Sequence, residues 1–550
     1  MKCPNCGGEL RFDIKTQKNV CDFCDSTFDI TPETNGKDDK KTGQATKRAK
    51  VLEDEHSEVQ EKSGGKLKVK TFLCPNCGGE IYATDIEANE FCSYCGSMVI
   101  LQERIDNIER PDYIIPFKVD KDRCREIYNK HIGKLIFAPK EFRTPGNIDR
   151  FRPIYTPYWV YESKFSGSGK LKAKHVYSKG NYEYTEHHDF LFDVDAEYGG
   201  ISFDASSAFD DNTSAAIAPY DSSKMEKFDE RYLSGFFADI PDVKNKVYTE
   251  DAKELMKSDV ADNALKSAVF KKSRAKHVAD GKGDELPSGE IKGKKAMFPV
   301  WFLSFRHGDR VSYAVVNGES GKVTCDTPIS VTKFMLFSLI LAIPFFFLYN
   351  ALFTMQPMAM QLIAGLVTFA LSLYYSWYLG QVELSEKRFT DKGYVLSHEK
   401  ELGNELKEAK KQLDAAETKK KVKPESFSGQ LYMLVFAVAF FAIIGFAVAE
   451  VLLEYDSLAL AIAGVLAFLI IFRTKCADRK DKTMAIAILA VYVYCALVAL
   501  IEPVRDVFFY LGSLLQVLSM LSMFISVITK YNILATRPLP QLKGRGHDAQ

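Results

Sequence analysis

The sequence lacks net charge, because its 72 Lys and Arg residues balance its 72 Asp and Glu residues. No overall field therefore draws the molecule onto nucleic acid or an anionic surface, and any electrostatic specificity has to be local. The N-terminus also lacks the apolar run of a secretory signal, since the first cysteine motif begins at Cys3. We therefore expect the N-terminus to start in the cytoplasm.

Catalytic motifs are missing as well. The sequence contains no HExxH, no GxSxG and no Rossmann glycine fingerprint. Two Gly-Lys runs, Gly167–Lys170 and Gly321–Lys322, are predicted to be turns, because neither Lys is followed by the hydroxyl residue of a phosphate-binding loop. His187, His188 and Asp189 are adjacent but lack the further partners of an acid/base or metal site. We therefore predict that the protein is not an enzyme.

The chain does contain one cysteine motif twice, with the spacing C-x2-C-x14-C-x2-C in both copies. The predicted metal ligands are Cys3, Cys6, Cys21 and Cys24 in the first copy and Cys74, Cys77, Cys92 and Cys95 in the second. Each C-x2-C turn places two thiolates on one side of a knuckle, and two knuckles joined by a hairpin complete a tetrahedral sulfur site. We predict two structural zinc ions; iron in a rubredoxin-like site is the alternative, because four sulfur ligands accept both metals.

Each of these zinc ribbons is too small to bury a core of its own. Metal binding therefore has to supply most of its folding free energy, on the order of 10 kcal/mol or more. Between Cys74 and Gly96 the second ribbon has four acidic residues and no Lys or Arg, and such a surface repels phosphate. The first ribbon has mixed charge, so nucleic-acid binding is disfavoured and docking of a protein is the better interpretation.

The composition of the first 330 residues changes along the chain and predicts separate segments. The ribbons occupy 1–30 and 71–105, and the segment 31–70 between them is charged, has no Phe, Tyr or Trp, and is predicted to be a disordered linker. A cytoplasmic α+β domain is predicted over 110–330, with two related strand pairs in which Trp159 and Trp301 each anchor a core. Two unrelated hairpins are the alternative.

Two helices are predicted within this domain. The first has a buried stripe at helical spacing after residue 120, and we assign His131 to that stripe rather than to a metal. The second lies in TEDAKELMKSDVADNALKSAVFKKSR and has an acidic first turn.

Six apolar stretches follow, at about 334–353, 358–380, 431–449, 457–472, 484–501 and 507–529. Most are close to the roughly 20 residues that cross a bilayer. The stretches contain no Asp, Glu, Lys, Arg or His, which disfavours an ion-coupled carrier or pump. Twenty Lys and Arg lie between stretches 2 and 3, between 4 and 5 and after 6, whereas the opposite loops carry only Arg505. The loops rich in Lys and Arg, and hence both termini, are predicted to be cytoplasmic.

We therefore predict a multidomain chain that ends in an all-α six-helix transmembrane bundle. Its first two spans lie in 331–380 and its other four in 430–530, followed by a cytoplasmic tail over 531–550. A cytoplasmic insertion at 381–429 carries a coiled-coil seam formed by Leu402, Leu406, Ala409, Leu413 and Ala416. Because two heptads are marginal alone, this seam is expected to pack on the soluble domain or on a partner.

The tandem CPNCGG ribbons, the PYWVYE and YLSGFFAD stretches and the FPVWFLSF strand resemble bacterial zinc-ribbon membrane proteins of the TFIIB type, over roughly residues 1–330. The resemblance implies association with SPFH (flotillin-like) or phage-shock-protein-A-like membrane-stress systems at the inner membrane. We predict a membrane-anchored scaffold or adaptor that docks such proteins, and leave homo-oligomerisation open. The alternatives are a membrane-tethered nucleic-acid-binding protein and a channel or lipid transporter.

Overall fold

A computed structural model describes most of the chain. The described residues are 2–30, 66–83, 92–97, 102–179, 182–267, 270, 276–277, 285–287, 289–352, 356–386, 391–397, 399, 406–407, 409–411, 413, 456–473 and 479–538.

The strands are β1 (Leu10–Asp13), β2 (Lys18–Cys21), β3 (Thr27–Phe28), β4 (Lys66–Leu73), β5 (Glu80–Ala83), β6 (Gln102–Glu109), β7 (Tyr113–Ile114), β8 (Arg152–Lys179), β9 (Tyr182–Asp204), β10 (Glu226–Lys227), β11 (Phe237–Asp239), β12 (Lys276–His277), β13 (Ile291–His307), β14 (Arg310–Asn317), β15 (Val323–Cys325) and β16 (Arg537–Pro538). The α-helices are α1 (Lys121–Gly133), α2 (Pro145–Ile148), α3 (Asp211–Ile217), α4 (Thr249–Lys266), α5 (Val331–Leu352), α6 (Pro357–Glu386), α7 (Lys392–Ser397), α8 (Asp456–Arg473), α9 (Arg479–Ile501) and α10 (Val507–Leu534). Short 3-10 helices cover Lys140–Arg143, Ser222–Lys224, Glu230–Leu233 and Asn245–Val247.

The described strands form two sheets. β1, β2 and β3 make a small antiparallel sheet in the first ribbon, and the other strands belong to one large sheet with the main order β10-β7-β13-β8-β11-β5-β4-β6. Together with α1–α4 this large sheet forms the sheet domain. The strands of the second ribbon, β4 and β5, belong to this large sheet rather than to a separate one. β4 also begins at Lys66, inside the segment predicted to be linker.

The two Trp-containing strands pair directly with each other. β8 and β13 run antiparallel, with Trp159 opposite Lys295 and Trp301 opposite Pro153. The side chain of Trp159 donates a hydrogen bond to the Val243 carbonyl at 2.7 Å, in one apolar core. The side chain of Trp301 lies in a different core of the domain. The prediction that each Trp anchors a core is therefore confirmed, and the two hairpins are joined in one sheet.

One turn prediction was wrong and the other is confirmed. Gly167–Lys170 lies inside β8, where Gly167 pairs with Val194 of β9, because the β8–β9 hairpin extends as a long arm. A Cβ on Gly169 would lie only 2.5 Å from the Phe192 ring, so glycine is needed here for close packing rather than for a turn. Gly321, with φ of +77°, does lie in the turn between β14 and β15.

Both predicted helices of the sheet domain are present as α1 and α4. α1 buries Cys124, Tyr128 and Ile132. His131 is half-buried on this helix, and burial lowers its pKa, as expected for a packed histidine. His187 and His188 are exposed on β9.

Among the described helices, α6, α9 and α10 contain segments that are long and apolar enough to cross a membrane. The apolar parts of α5 and α8 are shorter, Val331–Pro344 and Ser457–Phe472, and lie where the first and fourth spans were predicted. The predicted third span, 431–449, lies outside the described residues. Within the described ranges the structure thus gives three candidate spans, whereas the whole sequence predicts six.

Segments rich in Lys and Arg, which are predicted to be cytoplasmic, contact the sheet domain at one end of the helices. The side-chain amide of Asn532, near the end of α10, donates a hydrogen bond to the Ile329 carbonyl at 2.9 Å. The backbone N–H of Lys392 in α7 donates to a carboxylate oxygen of Asp211 at 2.8 Å. Arg537, after α10, lies 3.1 Å from a carboxylate oxygen of Asp210. These contacts dock α7 and the chain after α10 on the sheet domain.

The coiled-coil seam is partly described. Leu406, Ala409 and Leu413 form an apolar cluster with Tyr394 and Val395 of α7. The described part of the seam therefore packs on α7, which itself docks on the sheet domain. Leu402 and Ala416 lie outside the described residues.

A buried ion pair at the same end of the helices was not anticipated from the sequence. α9 and α10 extend beyond their apolar stretches, and Lys530 lies 3.0 Å from a carboxylate oxygen of Asp481. The Tyr375 hydroxyl donates to the other oxygen of Asp481 at 2.6 Å. This contact links α6, α9 and α10 where they meet the sheet domain.

Candidate metal centres

The eight predicted ligands form two clusters of four sulfur atoms. In each cluster, all four Sγ atoms lie within 4.8 Å of one another. In the first, Cys3 and Cys24 are 3.7 Å apart and Cys6 and Cys21 are 3.4 Å apart.

In the second cluster, both of the corresponding distances, Cys74 to Cys95 and Cys77 to Cys92, are 3.8 Å. A tetrahedral zinc ion with bonds of about 2.3 Å places its sulfur ligands roughly 3.8 Å apart. Both donor sets therefore fit a tetrahedral metal ion such as zinc.

The knuckles of the two clusters are built in the same way. The backbone N–H of Gly7 donates to the Cys3 carbonyl at 2.8 Å, and Gly78 makes the same contact with Cys74 at 2.8 Å. Gly7 and Gly78 have φ of +74° and +73°, a region that glycine adopts without strain. The first knuckles of the two ribbons therefore share their backbone conformation as well as their sequence.

An asparagine joins the two knuckles of each ribbon. The side-chain amide of Asn5 donates to Ser26 Oγ at 2.9 Å, and Asn76 donates to Ser97 Oγ at 2.8 Å. Separately, the contact between Cys24 Sγ and Ser26 Oγ, at 3.2 Å, is the largest of the causes that lower the pKa of Cys24. This shift favours the thiolate, which is the form that binds a metal.

The metal end of the second ribbon is buried in the sheet domain. All four of its cysteines are buried, in an apolar cluster that includes Tyr158 and Phe302. Tyr94, between Cys92 and Cys95, is only 4% exposed. Its ring meets Phe302 edge-on at 6.2 Å, and the Tyr313 hydroxyl donates to its carbonyl at 2.7 Å. The second centre is thus part of a core.

The first ribbon has the opposite orientation. Cys6 and Cys24 are exposed. Phe23, which occupies the position of Tyr94 in the repeat, is 81% exposed. The hairpin is the docked part, because Phe12 on β1 is buried and its ring meets that of Tyr232 at 5.3 Å. The first ribbon is therefore held by its hairpin and presents its metal end to solvent.

Sequence reasoning predicted which eight cysteines come together in the two clusters but missed Phe12 and Phe23. The signal for Phe23 was present, because aligning CDFC with CSYC puts an aromatic residue at the same place in both second knuckles. Its exposure could not be read from that alignment, since the residues that cover Tyr94 lie about two hundred positions further along the chain.

In the part of the chain that the structure describes, these features define a sheet-rich protein with two candidate metal centres of four cysteines each and three helices long and apolar enough to cross a membrane. No family model matches the chain, and no solved structure matches it. The chain is similar to an uncharacterized protein of Bacillus subtilis strain 168, YdjG. The two are 26% identical over 338 residues, which are 60% of this chain and 91% of the relative.

Proposed function

We propose that the protein is a non-enzymatic membrane scaffold or adaptor whose first ribbon docks a cytoplasmic protein. One observation carries the proposal: Phe23 is 81% exposed, whereas Tyr94 at the equivalent position is 4% exposed. Aromatic residues are enriched at the buried centres of protein interfaces relative to the rest of the protein surface. Zinc in both centres would hold the knuckles in shape without taking part in chemistry.

The residues around Phe23 favour a protein over a nucleic acid as the partner. Asp22 and Asp25 flank it, and both are exposed. Such carboxylates repel phosphate and attract basic side chains. The second ribbon offers an internal precedent, because Ser97 beside Tyr94 accepts a hydrogen bond from Arg306 at 2.5 Å. We therefore propose a partner surface that presents an arginine or lysine next to an apolar side chain.

The resemblance to TFIIB-type zinc-ribbon membrane proteins supports the class of partner. It favours an SPFH (flotillin-like) or phage-shock-protein-A-like protein. We further propose that the complex assembles at the bacterial inner membrane, with both termini of the chain in the cytoplasm.

Connectivity supports six spans. α6 and α10 lie parallel, because Tyr375 contacts Ser526 and a Cβ on Gly512 would meet Gln361. α10 ends at the sheet domain, so α6 also ends there.

α8 runs parallel to α6. A Cβ on Gly365 would meet Leu460, and the Ser376 hydroxyl donates to the Ile470 carbonyl at 3.5 Å. α8 therefore begins at the end of the helices away from the sheet domain. Leu413, by contrast, lies beside α7 at the domain end. We therefore propose that the chain crosses the membrane between these points, at the span predicted for 431–449.

A photo-crosslinking amino acid at position 23 of the full chain, irradiated in native membranes, tests the proposal. We expect a discrete adduct with a protein, identified by mass spectrometry. Leu255, a 51% exposed residue of α4, is the control position and should give none. Absence of a protein adduct at position 23, or equal labelling at both positions, would contradict the proposal. A nuclease-sensitive adduct would instead support the nucleic-acid alternative.

A further inference from the structure

A loop of the sheet domain lies beside the helix that leaves the domain for the predicted membrane region. This interface loop is residues 134–143, between α1 and the end of the following 3-10 helix. The Phe137 ring meets the rings of Phe334 and Phe337 on α5 at 5.5 and 5.4 Å. The backbone N–H of Ser330 donates to the Phe137 carbonyl at 2.8 Å. The interface loop is therefore fixed at the level where α5 begins.

The tip of the interface loop is apolar and uncovered. Ile136 is 62% exposed, and Phe337 on the neighbouring face of α5 is 41% exposed. Ile136 is separated in sequence by a single residue from Ala138, whose carbonyl accepts a hydrogen bond from Lys333 at 2.5 Å. Lys333 immediately precedes the predicted first span. If α5 enters the membrane after Lys333, the Ile136 side chain lies at the boundary between lipid headgroups and acyl chains.

The interface loop that carries this apolar tip also contains three cations. Lys134, Lys140 and Arg143 are exposed, and Glu141 is the one acidic residue in the loop. Arg143 is held next to Ile136, because its guanidinium donates to the Leu135 carbonyl at 2.8 Å. Within the part of the chain that the structure describes, no carboxylate pairs with any of these three cations.

The cations also converge on Lys333. Its pKa is lowered, first by partial burial and then by the positive charges of Arg143 and Lys140. Like charges at close range are unfavourable unless an anion joins them. The interface loop and the start of α5 therefore concentrate positive charge that an anion would neutralise.

We propose that the interface loop binds the headgroups of anionic phospholipids and inserts Ile136 at the membrane boundary. The apolar tip distinguishes a lipid from free phosphate, which would use the cations but not Ile136. The position beside α5 favours a lipid as well, because this face would be turned to the bilayer surface. The inference goes beyond the scaffold function and does not depend on the first ribbon.

The test uses the full-length protein in nanodiscs of phosphatidylcholine, with or without phosphatidylglycerol. An environment-sensitive fluorescent amino acid replaces Ile136, and lipids brominated on their acyl chains serve as quenchers. We expect a blue shift and quenching that grow with the mole fraction of phosphatidylglycerol. Lys134→Gln with Lys140→Gln should weaken the apparent affinity for this lipid roughly tenfold.

Lys164→Gln with Lys174→Gln is the matched control, since it removes the same charge from exposed positions on β8. It should leave the response unchanged, and unaltered unfolding midpoints would show that both double variants are folded. Equal loss in the two variants would overturn the inference, as would a probe that stays in water at every lipid composition. Reproduction of the full response by inorganic phosphate in phosphatidylcholine discs would identify a phosphate site and would also overturn it.

Discussion

The first ribbon buries its hairpin and exposes its metal end, whereas the second ribbon buries its metal end in the sheet domain. The cysteine spacing and the knuckle hydrogen bonds are the same in both. The difference arises from the surroundings, because β13 and β14 cover Tyr94 but not Phe23. A metal-binding repeat thus fixes its own geometry, and the fold around it decides whether that geometry supports a core or a surface.

Loss of one ligand from each ribbon should give the largest contrast. Cys95→Ser is expected to destabilise the sheet domain by more than about 4 kcal/mol, because the second cluster lies in its core. Cys24→Ser should release a metal ion but leave the main unfolding transition close to that of the wild type. Intrinsic tryptophan fluorescence, to which Trp159 and Trp301 of the sheet domain contribute, follows the thermal unfolding of both variants in detergent. Elemental analysis follows the metal. Equal destabilisation by the two variants would remove the distinction between the ribbons.

Truncation of the equivalent aromatic residues is the next contrast. Tyr94→Ala should cost about 3–5 kcal/mol, since it leaves a cavity against Phe302. Phe23→Ala should change the unfolding free energy by less than about 0.5 kcal/mol, because its ring is exposed. Denaturant titration of the purified protein compares the two. A large effect at Phe23 would mean that this ring is covered within the chain.

Metal removal should proceed in two phases. A chelator is expected to strip the first centre faster, because Cys6 and Cys24 are exposed while all four ligands of the second centre are buried. A metallochromic dye records the release over time, and Cys24→Ser should remove the fast phase only. A single phase in the wild type would argue against independent centres.

The smallest expected effect concerns one backbone position in each ribbon. Asp25 has φ of +54° where Gly96 has +66°. Asp25→Gly should therefore relieve backbone strain and stabilise the first ribbon by less than about 1 kcal/mol. Metal release from the first centre should become slightly slower as a result. Gly96→Ala should be more harmful, since its Cβ would lie 3.2 Å from that of Arg306. Unfolding midpoints and the rate of metal release in the dye assay compare the two variants. If Gly96→Ala changed neither quantity, the contact with Arg306 would be loose enough to admit a methyl group.

The structure also shows where local sequence signals failed. Gly167–Lys170 has the composition of a turn, yet its pairing with β9 places it within a long strand. Lys66–Leu73 begins in a segment with the composition of a linker, yet it pairs with β5 and β6. In both cases long-range strand pairing outweighs the local preference. The ion pair between Asp481 and Lys530 likewise depends on helix packing.

The sequence by itself determined the eight cysteines of the two candidate metal centres, the α1 and α4 helices and the positions of the apolar helices that the structure describes. These are local properties, because ligand spacing and hydrophobic length are set by the order of residues along the chain. Only the tertiary structure decided that Tyr94 is buried and Phe23 exposed, and that Ile136 lies next to α5. Burial depends on which distant segments meet, and no residue carries that information alone.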